Sequence, residues 1–283
     1  MEFVLDNGSI RVVLSTAGGS FTSIKANGRE YLWQGDPAVW SGQAPICFPL
    51  CGGLRDVNLA RHGFARKQEW KLEEQGDSMV ALSLSSADHA ELLEQYPYPF
   101  KIVARYTIDA AKVAVSYEVT NEGTEDMPFF VGGHPGFKCP LDEGESYDDY
   151  ELRFEQREAA ELCTAVPSTG LIDVEHRSKN PMVGHDLPLT HELFDFAETI
   201  FDVLESRVVT LTKKTEDKGV RLTFPDMPYL IVWSKPEGDF VAVEPWGGLF
   251  TCSDEDDVLE HKRGCLVAKP GETVARGFEI EIL

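Results

Sequence analysis

Apolar and polar residues alternate with a period of two along much of the chain. Phe100, Ile102, Ala104, Tyr106 and Ile108 interleave with Lys101, Arg105 and Thr107, and Val113, Val115, Tyr117 and Val119 interleave with Ala114, Ser116, Glu118 and Thr120. The pattern repeats at Val80, Leu82 and Leu84, at Tyr229, Ile231 and Trp233, and at Phe278, Ile280 and Ile282. A period of two buries one face of a strand and wets the other, which suits antiparallel sheets. Turn chemistry separates these runs at Asn27-Gly28, Glu122-Gly123 and Glu237-Gly238, with Asn7-Gly8 expected just ahead of the first strand. Helical signal is confined to residues 87–95 (ADHAELLEQ), stopped by Pro97 and Pro99, and to a segment around residues 191–201. There is no βαβ alternation and no glycine pattern of a phosphate-binding loop. The expectation is one all-β domain over residues 1–283, a large antiparallel β-sandwich of two packed sheets with a few short helices.

A length of 283 residues is enough to bury a sizeable core, and all-β units of this size are common. The 48 acidic residues against 26 basic ones give a net charge of −22, which argues against a nucleic-acid partner. The same charge repels anionic membranes and phosphorylated ligands at long range, unless a local basic pocket intervenes. The first residues carry neither a basic start nor a continuous apolar segment, and no stretch reaches the roughly 18 apolar residues of a membrane helix. Six cysteines without a CxxC read as reduced thiols, so the expected setting is the cytoplasm. The acidic run at residues 253–257 (SDEDD) lacks the spaced oxygens and glycine of a calcium loop and reads as solvated.

Three segments hold candidate chemistry. Residues 45–54 (PICFPLCGGL) form a tight Gly- and Pro-determined turn leading to Arg61-His62-Gly63-Phe64-Ala65-Arg66, which would deliver His62, Arg66 and Arg55 to one place. Arginine forks suit sugar hydroxyls or carboxylates; the plainer alternative is an ion pair for Arg66 and a turn cap for His62. In residues 129–141 (FFVGGHPGFKCPL) a strand ends at Gly132-Gly133 and presents His134 before a Pro135-Gly136 turn. A histidine so fixed is a titrating group with little freedom to wander, although a structural histidine is the ordinary reading of one taken alone. In residues 240–248 (FVAVEPWGG) an apolar strand runs into Glu244, Pro245 is expected to end it, and Trp246 sets a flat ring beside the acid. Pyranose C–H faces pack on such rings while hydroxyls meet the carboxylate; the alternative is an edge glutamate in an ion pair. His62, His134 and Glu244 have the donor types of a zinc or iron site, but no compact His-x-His or HExxH spacing supports one. No metal or cofactor is expected. No GxSxG elbow is present.

In this order the segments resemble the aldose 1-epimerase (galactose mutarotase-like) family, in its short bacterial LacX-like branch. The resemblance rests on residues 30–37 (EYLWQGDP) and Trp40, 45–49 (PICFP), 62–66 (HGFAR), 133–137 (GHPGF), 193–195 (LFD) and 243–246 (VEPW). It implies a β-supersandwich with a sugar cleft, His134 as general acid, Glu244 as general base and His62 as a sugar contact. Two positions depart. Many relatives have Gly-Arg-Leu where this chain has Gly52-Gly53-Leu54, so Arg55 or Arg66 stands in; Ala197 falls where the branch has a sugar-holding aspartate, leaving Asp195 as candidate beside Glu198. The implied reaction interconverts the α and β anomers of an aldohexose, with Glu244 taking the O1 proton and His134, its pKa raised by Glu244, protonating O5. The alternatives are a hexose-6-phosphate 1-epimerase, for which Arg55, Arg61 and Arg66 form the basic cluster, and a non-catalytic carbohydrate-binding protein. The expected partner is a small-molecule sugar, with the chain a monomer or homodimer.

Overall fold

The computed structural model describes residues 1–54, 59–166, 168–195, 197–256 and 258–283. Two large sheets dominate, and every strand pairing within the sheets is antiparallel. The nine-stranded sheet runs from Asp186–Pro188 through Tyr150–Phe154, Val208–Lys213, Gly219–Thr223, Thr273–Ile282, Lys112–Asn121, Phe100–Asp109 and Met79–Ser85 to Lys71–Gln75. The eight-stranded sheet centres on Tyr229–Trp233 and Phe240–Trp246, with Thr199–Phe201 on one side and Gly132–Gly133, Gly136–Lys138 and Ile46–Cys47 on the other. A four-stranded N-terminal sheet and the pair Met127–Phe129 with Leu266–Ala268 complete the β-structure.

The alternating runs at 80–84, 100–108, 113–119 and 278–282 become inner strands of the nine-stranded sheet, and the run at 229–233 joins the eight-stranded one. Phe100, Ile102, Ala104, Tyr106 and Ile108 are buried, and so are Val113, Val115, Tyr117 and Val119 opposite them. Leu211, Leu222 and Ile280 extend the same apolar face. The two large sheets meet face to face at Gly133, where a Cβ would lie 2.5 Å from the ring of Phe278 and 3.4 Å from the Tyr117 hydroxyl. Phe154 and Phe201 close another part of the interface, ring centres 5.0 Å apart. Tyr106 ties the nine-stranded sheet to the N-terminal one by donating to the carbonyl of Gly19 at 2.6 Å. All six cysteines are free thiols.

Local details differ from expectation in four places. The first strand is Glu2–Asp6, so Asn7-Gly8 turns a hairpin into Arg11–Ser15 instead of preceding the first strand. Residues 87–95 yield only a 3₁₀ turn at Ala90–Glu94. The segment around 191–201 splits into a 3₁₀ turn, His191–Phe194, and a strand, Thr199–Phe201, because Ile200 and Phe201 are needed in the core beside Ile231 and Leu230. Finally, the strand that carries Glu244 does not stop at Pro245 but continues to Trp246.

Gly133→Ala should lower stability by about 1–3 kcal/mol, the usual range for overpacking a filled core. A fall in the urea midpoint would show it; a change below about 0.5 kcal/mol would mean that Phe278 moves aside freely.

Candidate active site

His134 and Glu244 are brought together by strand register. Gly132 pairs with Trp246 and Gly136 with Ala242, and carrying that register across the gap sets His134 directly opposite Glu244. The positions flanking the pair are prolines, Pro135 facing Val243 and Pro245 facing Gly133, and neither offers an N–H to the ladder. The strand is instead tied by Val243 N–H donating to Pro135 O at 3.1 Å and by His134 N–H donating outward to Pro45 O at 3.1 Å. Cross-strand partners project from the same face, and His134 Nε2 comes within 3.3 Å of Glu244 Oε2.

The same face carries the rest of the cleft. Glu244 and Trp246 are two apart on one strand, and Ile231, opposite Glu244, and Trp233, opposite Ala242, are two apart on the next. Trp40 lies over His134, ring centres 5.1 Å apart and planes 25° apart, and Trp233 and His62 meet that imidazole edge-on at 6.0 and 5.3 Å. Gly136 makes room for this stack: a Cβ there would sit 2.5 Å from the Trp40 ring. The cavity so formed holds about 340 Å³ and is lined by these residues with Arg61, Arg66 and Glu198. That volume falls in the range of small-molecule sites.

His62 is delivered by the turn after Phe48–Pro49. It takes a left-handed backbone, φ 63°, held by His62 N–H donating to Gly52 O at 2.6 Å and by His62 O accepting from Phe48 N–H at 3.2 Å. Such backbone strain in a non-glycine residue gathers at functional sites. Its Nδ1 accepts from Gly52 N–H at 3.1 Å, while Arg61 Nε points a second N–H at Nε2, 3.2 Å away. Burial first, and then the positive charge of Arg61 and Arg66 beside it, hold His62 well below the ordinary imidazole value. A neutral imidazole has one acceptor nitrogen. The Gly52 contact is backbone and fixed, so the proton belongs on Nε2 and the Arg61 contact is the one that yields. Arg61 has the freedom to do so: its side chain is 53% exposed and anchored at the cleft rim by Glu198 at 2.7 Å.

The electrostatics of the central pair reverse the expectation. Glu244 does not raise the pKa of His134; burial pushes the imidazole down to about 3, and the positive Arg66 and Arg61 press the same way. Burial likewise pushes the Glu244 carboxyl well above the usual carboxylate range. Taking two charges out of water costs more than their attraction at this separation returns, so the pair holds its single proton on Glu244 with His134 neutral. Glu244 Oε2, His134 Nδ1 and Trp246 Nε1 are buried without a hydrogen-bond partner among the described residues. Buried polar atoms are ordinarily satisfied, and exceptions concentrate where a ligand supplies the partner.

Of the residues singled out from sequence, His134, Glu244, His62, Arg66 and Trp246 all line this cleft. Trp246 is 1% exposed, so it forms the floor, while the half-buried walls are Trp40 and Trp233, to which sequence reasoning gave no role. Asp195 does not line it: it is exposed at the end of the His191–Phe194 turn, and Glu198 reaches the cleft in its place. The signal for Glu198 was its place one residue before the buried strand Thr199–Phe201. Arg55 lies outside the described residues. Three His, Cys, Asp or Glu side chains do not converge as metal ligands anywhere among the described residues, and His62 gives its Nδ1 to the backbone.

A large antiparallel sandwich of this kind is the galactose mutarotase-like fold. The family model for aldose 1-epimerase matches residues 1–262. The plasmid and chromosomal LacX proteins of Lactococcus lactis subsp. lactis are each 40% identical over 300 aligned positions that cover all of both chains. A solved galactose mutarotase-like protein from Lactobacillus casei ATCC 334 superimposes with a TM-score of 0.91 at 27% identity, covering 100% of each chain. A galactose mutarotase related enzyme from Lactobacillus acidophilus gives 0.90 at 28% identity, covering 100% of this chain and 97% of that one. The chain belongs to the aldose 1-epimerase family.

The raised Glu244 pKa has a consequence for stability. Above about pH 4.5 the unfolded chain ionises this carboxyl and the folded one does not, so the fold loses stability as pH rises from there towards the folded-state pKa. Glu244→Gln lacks that loss. Calorimetry should find the variant melting above wild type at pH 7, with the gap closing towards pH 4; a gap independent of pH would contradict the assignment.

Proposed function

We propose that the protein is an aldose 1-epimerase that opens and re-closes an aldohexose ring without a cofactor. The observation that carries this reading is the cross-strand pair of His134 and Glu244, unsatisfied and one proton short of being doubly protonated, at the floor of a cleft of sugar size. Ring opening requires O1 to lose a proton and O5 to gain one as the C1–O5 bond breaks and the C1–O1 double bond forms. Glu244 takes the O1 proton and His134 gives one to O5. The sugar hydroxyls supply the hydrogen bonds that make the charged form of the pair accessible, since hydrogen bonding to a charged group favours that form.

Burial then works in favour of the reaction. Opening converts imidazolium and carboxylate into neutral imidazole and carboxylic acid, the form that a dry cleft stabilises. Rotation about C1–C2 presents the other face of the aldehyde, and re-closure returns the protons by the reverse route. His62, with its proton on Nε2, is placed to donate to a ring hydroxyl once Arg61 has moved aside. Trp40 and Trp233 offer flat walls for the C–H faces of the ring. The low accessibility of Glu244 (2%) and His134 (8%) also keeps bulk water from competing for the protons.

Glu244→Gln and His134→Asn should each lower anomer exchange by about 10²–10⁴-fold, the usual contribution of one general acid or base. Polarimetry on freshly dissolved α-glucose and α-galactose measures this directly. Full activity in either folded variant would sink the assignment.

A further inference from the structure

A buried thiol lies beneath the cleft, where strand register places it. Gly132 faces Trp246 on one side and Cys47 on the other, so the three form one row on the face that carries His134 and Glu244. Gly132 leaves a gap in that row: a Cβ there would lie 2.6 Å from the Trp246 ring and 3.1 Å from Cys51 Sγ. His62 covers the row. Its ring centre is 5.4 Å from that of Trp246, and Cys47 Sγ is 3.5 Å from its Nδ1. Cys47 is fully buried, and so is Cys51. The direction of the Cys47 contact follows from its neighbours. Gly52 N–H donates to Nδ1 at 3.1 Å, so Nδ1 carries no proton and the thiol is the donor. Cys51 supports the same direction: its sulfur accepts from Gly248 N–H, and its thiol is hydrogen-bonded to Cys47. Burial pushes the Cys51 thiol well up, so it keeps its proton and donates it to Cys47 Sγ, leaving the Cys47 proton for His62.

We infer that Cys47 is a positioning residue for anomer exchange: its thiol holds His62 by Nδ1 and thereby keeps the Nε2 proton aimed into the cleft. The inference rests on the anomer-exchange reading of the same cleft and adds to it the group that orients the second imidazole. Which nitrogen of a histidine carries the proton is set by the bond that the other nitrogen makes. Here the two ends of the ring compete. Arg61 Nε presents a donor to Nε2 at 3.2 Å, and Gly52 N–H presents one to Nδ1. Backbone alone would leave one donor at each end, the charged one being the stronger. Cys47 adds a second donor at Nδ1 and tips the balance towards the tautomer that can meet a sugar hydroxyl. A buried cysteine ordinarily fills space as a small apolar group; this one has an acceptor within reach.

Polarimetric exchange of glucose and galactose by the wild-type protein, Cys47→Ala and Cys47→Ser tests it. Cys47→Ala should raise KM by about three- to tenfold, the range of one hydrogen bond, because His62 meets the sugar in ground and transition states alike; kcat should stay within about twofold. Cys47→Ser keeps a donor of shorter reach and should recover part of the loss. Long-range proton–nitrogen correlation spectra of the histidine rings give a readout that packing alone would not move. Wild-type His62 should carry its proton on Nε2, and its Nδ1 resonance should move in Cys47→Ala. A wild-type proton on Nδ1, an Nδ1 resonance unmoved in Cys47→Ala, or serine no better than alanine would overturn the inference. So would a fall in kcat at unchanged KM. The wild-type spectra and Cys47→Ser keep the test decisive should the alanine variant fail to fold. If the wild-type protein binds glucose without exchanging it, the epimerase reading falls; glucose binding weakened about three- to tenfold in Cys47→Ala, measured by titration calorimetry, would still uphold the placing of His62.

Discussion

The site depends on a register constraint. Two segments far apart in sequence, residues 132–138 and 240–246, pair as antiparallel neighbours, and the register that matches Gly132 to Trp246 and Gly136 to Ala242 leaves His134 and Glu244 across from one another. A slip of one residue would turn one partner into the core. Prolines on either side weaken the ladder where the pair sits, and contacts to a third segment make up the loss: His134 N–H to Pro45 O, and Gly136 N–H to Gln43 O at 2.8 Å. The turn that supplies Pro45 also leads to His62. One stretch of backbone therefore fixes the pair and sets the neighbouring imidazole.

How far the sequence revealed this differed from part to part. Strands with clean alternation, such as Phe100–Asp109 and Lys112–Asn121, were legible because each has one buried and one wetter face. The strand Phe240–Trp246 is buried on both faces, so alternation could not show its end, and Pro245 was read as a stop when it is a mid-strand residue whose missing N–H costs one bond. Residues 191–201 look helical locally, and tertiary packing overrides that propensity. Of the site, the motif order identified His134, Glu244, His62 and Arg66. It did not separate Asp195 from Glu198, since the direction of a side chain after a short turn is fixed by the strand that follows. Trp40 was legible only as part of the motif order and Trp233 only as a strand position, not as cleft walls: they matter because of what they stack on.

Depth was the property hardest to read. A glutamate beside a histidine suggests an ion pair, and at a surface it would be one. Here both groups are buried, the desolvation of two charges outweighs their attraction, and one proton stays on the carboxyl. The wall residues that exclude water also favour the neutral forms of the pair, so Trp40 acts on its protonation through the dielectric as well as through contact.

Gly133 links these levels in another way. The single layer of backbone at residues 132–136 is a partition with the hydrophobic interior behind it and the candidate cleft before it, and Phe278 presses on its rear. Nothing lies between to absorb a displacement. Repacking the interior, even far from any substrate, would therefore be transmitted to the spacing of His134 and Glu244 as a lever transmits load. Selection for a well-filled core and selection for turnover would then act on the same few ångströms, and neither could drift without the other.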